Sequence, residues 1–134
     1  MFSFEKMLTW QKAADWSDPV FDVADSLPMR LQSSFGDQLR RARLSVTNNL
    51  AEGSGKRTSP SQRTYYDTAH GSAYETMSIL TILRRRGNIT SEAYDKLYRQ
   101  GDEVASLIYR LMQATLEDKT LRDDSVKYDT GRDG

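Results

Sequence analysis

The chain's most constraining feature is a three-and-four spacing that returns four times along 134 residues. Trp10, Ala13, Ser17, Val20, Ala24 and Leu27 form the first series. Phe35, Leu39, Ala42, Val46, Asn49 and Gly53 form the second, and Ala69, Ala73, Thr76, Leu80 and Leu83 the third. Tyr94, Leu97, Gly101, Val104, Ile108, Leu111 and Thr115 complete the set. Alternating steps of three and four keep residues on one side of an α-helix and supply the seam of a bundle. No stretch alternates with the period of two that a half-buried strand needs. The later links are short, so consecutive helices must turn back on one another. The pattern predicts an all-α, antiparallel up-down-up-down four-helix bundle over residues 1–116. A polar tail at 117–134 lacks the rhythm and is expected to be disordered.

Local signals set the expected boundaries. A first helix is read from Leu8 to Leu27, kinked or restarted at Pro19, because proline has no N–H and crowds the preceding turn. "SLPMRLQSSFG" breaks the pattern, and a second helix is expected after Ser33 or Ser34 and to run to Gly53. Ser59 followed by Pro60 reads as a third start, and Gly87 as its stop. Thr90 is placed to cap the fourth helix, with Ile89 and Tyr94 stapling its entry. Leu44, Leu50, Met77, Ile79, Ile82, Tyr98, Leu107 and Met112 widen the apolar stripes beyond one core. That surplus predicts association between copies.

Charge is balanced overall, with 19 basic and 19 acidic residues, but it is unevenly placed. Met1 to Asp37 is acidic, Gln38 to Arg63 is basic, and Arg84, Arg85 and Arg86 stand together. A neutral sum therefore leaves room for a local basic patch. Cysteine is absent, which removes disulfides and thiolate metal sites. No apolar run is long enough for a membrane span, and "MFSFEKMLTW" does not read as a secretory signal, so a cytoplasmic protein is expected.

Catalytic chemistry finds little support. The single histidine, His70, cannot build the Glu-x-x-His pairs of a di-iron bundle or a zinc site. "GSGK" follows a helix and lacks the spacing of a phosphate loop. A hydrolase using His70 with Ser72 or Glu75 meets the difficulty that neighbouring helix positions diverge around the axis. No catalytic residue, metal or cofactor is assigned. The polar residues near the seams must instead be paired, since isolated buried charges are costly. Arg40 or Arg41 is expected to meet Glu75, and Asn49 and Glu52 to meet the groups near Gly71 and Ser72, with a subunit interface or solvent as the alternative for Glu52. Such a network fixes helix register.

Several polar signatures recur in order. They are Trp10 to Ala13; then Gln38, Arg40, Arg41, Ala42, Ser45, Asn49, Ala51, Glu52 and Gly53; then Ala69, Gly71, Ser72 and Glu75. With "RRRGNITSEAYDKL" they resemble the 23S rRNA intervening-sequence protein family over about residues 4–116. The resemblance implies a four-helix bundle assembled as a ring-like homopentamer, with no enzymatic activity. It also implies similarity in fold to the accessory variability determinant of diversity-generating retroelements. That protein is a basic pentamer that works with a reverse transcriptase and its RNA.

Together these readings predict a non-enzymatic oligomer that binds RNA or DNA through phosphates, with a reverse transcriptase as a candidate partner. The contacts expected are Arg40, Arg43, Lys56, Arg57, Arg63, Arg84, Arg85 and Arg86. No aromatic-rich loop signals base stacking, so little sequence selectivity is predicted. The rival is a protein-interaction scaffold whose arginines serve only subunit packing.

Overall fold

Each apolar series is a helix. A computed structural model describes the backbone of residues 1–128 and the side chains of residues 1–117. Helix α1 is Leu8–Ser26, α2 Asp37–Ser54, α3 Ser59–Arg85 and α4 Ser91–Tyr128. Successive helices pack antiparallel, and α4 returns against α1 to close the bundle. Over the tail expected to be disordered, 117–134, the backbone continues α4 as far as Tyr128, and 129–134 lie outside the described residues.

The seams meet as the spacing requires. Ala13, Val20 and Ala24 of α1, Leu39, Ala42 and Val46 of α2, and Ala69, Ala73, Leu80 and Leu83 of α3 are buried. Leu97, Val104 and Ile108 of α4 complete that core. Trp16, absent from the predicted seam, is the largest fully buried side chain. Its indole N–H donates to the Leu97 carbonyl across 3.1 Å, so its one polar atom is satisfied in the core. The ring fits because α4 offers no side chain at Gly101. A Cβ there would lie 2.7 Å from Trp16 Cζ2 and 2.8 Å from Met77 Sδ. Gly53 does the same for α2 and α3, where a Cβ would lie 2.6 Å from Tyr66 Cε1.

The helix ends explain the boundaries. Thr58, not Ser59, caps α3, its hydroxyl accepting from the Ser61 N–H, so Pro60 falls within the first turn. At the other end Gly87 has φ of 84°, the Asn88 N–H reaches the Leu83 carbonyl and the Gly87 N–H that of Arg84. This pair of bonds is a Schellman closure. Thr90 caps α4 as expected, accepting from the Ala93 N–H at 3.1 Å.

Two expectations about the first half are corrected. The restart expected as one alternative at Pro19 does not occur: α1 runs across it as a single helix. The carbonyl that loses its donor belongs to Asp15, which is exposed. Water can satisfy that carbonyl, so the cost falls short of breaking the helix. Nor is the segment after Pro28 irregular. A helical turn, Met29–Leu31, leads through a π-helical turn, Gln32–Gly36, directly into α2. The wider turn accommodates the extra length that disturbed the spacing. Leu50 and Ile79, read as surplus, are core residues, whereas Leu44, Ile82 and Tyr98 are exposed.

Candidate nucleic-acid interface

The eight expected basic residues divide into three groups. Arg40 is turned inward along the surface. It pairs with Asp25 at 2.9 Å and with Asp37 at 3.2 Å, and donates to Gln32 Oε1. Gln32 in turn donates to the carbonyls of Ala24 and Leu27, each at 2.9 Å, covering the open end of α1. Arg43 donates to the buried Ser17 hydroxyl, and its guanidinium lies 4.4 Å from the Phe21 ring centroid. Both side chains hold α1 against α2, which leaves few of their donors for a phosphate.

The remaining six stand at opposite ends of α3. Lys56, Arg57 and Arg63 surround the link from α2, where Lys56 lies 5.0 Å from the Tyr65 ring and Arg63 is half-buried. Arg84, Arg85 and Arg86 close the far end, all exposed and none in an ion pair with the described residues. Twenty-two residues of helix separate Arg63 from Arg85, about 33 Å at 1.5 Å per residue. That exceeds the screening length of about 8 Å at physiological salt, so the two clusters act independently. One positive charge offsets the dipole of a helix C-terminus; three exceed it. The rings beneath hold them in place: Arg84 lies 5.1 Å from the Tyr94 centroid and Arg86 5.8 Å from that of Phe35.

The N-terminal acidity has its own location. Asp15, Asp18, Asp22 and Asp25 follow the three-four rhythm on the exposed side of α1. A polyanion is repelled from that face.

The register network differs from the one expected. Ser45 Oγ and Ser72 Oγ are 2.7 Å apart, and Asn49 donates to the Ser45 carbonyl at 2.8 Å and to its hydroxyl at 3.0 Å. Asn49 and Ser72 are thus connected, through a serine that the pairing argument overlooked. Arg40 is spent on the aspartates. Arg41, Glu52 and Glu75 are all exposed, and no hydrogen bond or ion pair joins their side chains to the described residues. Their charge and reach explain this, because a long ionised side chain can stay in water and desolvation in an enclosed seam is costly. They flank the Ser45–Ser72 contact: Arg41 lies one turn before Ser45, and Glu75 one turn after Ser72.

His70 is half-buried between rings, 4.9 Å from Tyr74 and 6.4 Å from Tyr109 by centroid. Ser72 faces Ser45 instead, and Glu75 is solvated, so the three do not converge. Among the described residues no three His, Asp or Glu side chains gather into a metal-holding group. None of their helices is long and apolar enough to cross a membrane.

Comparison with known proteins agrees with this architecture. The family model described as 23S rRNA-intervening sequence protein matches residues 5–110. A solved structure from Bacteroides thetaiotaomicron, described as a protein of unknown function from the S23 ribosomal protein family, superposes with a TM-score of 0.72. It shares 20% identity over 78% of this chain and 98% of its own. At that identity the likeness is one of fold. No curated protein matches the chain.

Proposed function

The chain belongs to the 23S rRNA-intervening sequence protein family, and from that premise we propose that it is a non-enzymatic, homo-oligomeric nucleic-acid-binding accessory protein. The observation that carries this reading is the exposed Arg84–Arg86 cluster at the end of α3, which makes no ion pair with the described residues. Its contacts are with phosphates, supported at a distance by Lys56, Arg57 and Arg63. Three arginines in one chain bind weakly. A ring of copies, five on this proposal, converts them into useful avidity.

Two features support association. Leu44 and Ile82 leave apolar surface in water. Gly71, midway along α3, has open space where a Cβ would stand. Glycine within a helix costs about 1 kcal/mol relative to alanine, and no contact among the described residues requires it. Close approach by a neighbouring copy supplies a reason, with Arg41, Glu52 and Glu75 nearby to form contacts between copies. The client of such an assembly, as the resemblance implies, is a reverse transcriptase and its RNA.

Salt titration of RNA and duplex DNA binding tests the proposal. Binding is expected to weaken steeply with salt and to fall when Arg84, Arg85 and Arg86 are all changed to Glu. For duplex DNA the log–log salt slope should diminish by about 3 per engaged chain. Absence of binding at low ionic strength would overturn the reading. The inward commitment of Arg40 and Arg43 favours a second reading, a protein scaffold with no nucleic-acid contact. On that reading the triple charge reversal leaves partner capture intact.

A further inference from the structure

The groove between α3 and α4 carries aromatic rings that no sequence segment displays together. Tyr74 and Tyr98 line one hollow with Ala73, Gly101, Asp102 and Ala105. Tyr74 continues into a second hollow with His70, Tyr109 and Arg110. Tyr74, Tyr98 and Tyr109 are 64%, 53% and 52% exposed, far more than a packed bundle requires of such rings.

The rings form a ladder. Tyr94 and Tyr98 are 6.1 Å apart by centroid, and Tyr74, His70 and Tyr109 follow along the same groove. From Tyr94 to Tyr109 the run spans about 22 Å of helix. Its floor is made of Ala73, Met77, Gly101 and Ala105, and Tyr74, Tyr98 and Tyr109 stand above it largely exposed. Its ends are cationic: Arg84 lies over Tyr94 at one, and Arg110 lines the other.

We propose that the Tyr98–Tyr74–His70–Tyr109 ladder binds single-stranded nucleic acid, with bases stacked on the exposed tyrosine rings, His70 supporting Tyr74 and Tyr109 from between them, and phosphates directed to Arg84 and Arg110. The proposal rests on the nucleic-acid reading above and adds to it a preference for single strands. Every base has a π-face, and exposed rings flanked by arginine are the ordinary means of holding an unpaired strand. The length suits about four nucleotides, the small end of single-strand site sizes. Asp102 decides the orientation. Its carboxylate, in the middle of the groove, repels a phosphate but accepts hydrogen bonds from base amino groups, so bases face inward and the backbone outward.

Binding of fluorescent 12-residue single strands and of the matching duplex is compared for the full chain and two double variants. The first is Tyr74→Leu with Tyr98→Leu, the second Tyr74→Phe with Tyr98→Phe, and thermal unfolding confirms that both fold. The wild type should prefer the single strand. The leucine pair should lose at least tenfold in single-strand affinity while duplex binding holds, and the phenylalanine pair should retain both. Equal affinity of wild type and leucine pair for the single strand overturns the ladder while leaving phosphate binding standing. The same result with a fall in assembled mass assigns the groove to contacts between copies and also overturns it. No binding of either nucleic acid overturns both proposals.

Discussion

Glycines show how single atoms set this fold's tolerances, because three in helices face opposite consequences. Gly53→Ala and Gly101→Ala would each gain about 1 kcal/mol of helix propensity. Each also drives a Cβ to within 3 Å of a buried ring, Tyr66 or Trp16. Overpacking costs about 1–3 kcal/mol, so both variants should be destabilised in urea unfolding. Gly71→Ala meets no such contact and should stabilise the isolated bundle by up to about 1 kcal/mol. Tyr66 adds a pH dependence. Burial raises its phenol pKa above the ordinary value. The unfolded chain therefore loses that proton first as pH climbs past about 10, and stability declines from there upward. Tyr66→Phe should remove this part of the alkaline decline, as wild-type and variant unfolding between about pH 9 and 11 would show.

At the scale of elements, the Schellman closure at Gly87 is the sharpest stop in the chain. Gly87→Ala places a Cβ in the left-handed region at φ of 84°. The expected loss is about 1 kcal/mol, visible as a lower unfolding midpoint. That stop was legible in the sequence, as were Thr90 and the four seams, because each depends on neighbours within one turn. The π-helical turn was not. Gln32–Gly36 reads as a break, since its residues serve a contact with the end of α1 that only the folded chain supplies. Arg40 was misassigned for the same reason: its partner Asp25 lies 15 residues away on another helix. Trp16 lies outside the predicted series, yet its satisfied indole and the gap at Gly101 put it at the centre of the core. The aromatic groove was invisible for a further reason: its rings come from two helices whose rotation about their axes no single segment reveals.

Across the whole molecule, charge and apolar surface are sorted onto different faces. Asp15, Asp18, Asp22 and Asp25 line the exposed side of α1, Arg84, Arg85 and Arg86 the end of α3, and Tyr74, Tyr98 and Tyr109 the α3–α4 groove. Binding should therefore be directional, with Asp15→Asn and Asp18→Asn together changing RNA affinity far less than the Arg84–Arg86 reversal. Titration of each variant with the same labelled RNA makes the comparison. Gly71 connects the residue scale to this one, since alanine there should favour the helix but weaken self-association. The account as a whole is tested most directly by sedimentation velocity of the full chain with labelled RNA at low salt. The prediction is a species of several 15.3 kDa chains, five on the proposed assembly, that carries the RNA and releases it as salt rises. A lone 15.3 kDa chain with the RNA sedimenting free would contradict it.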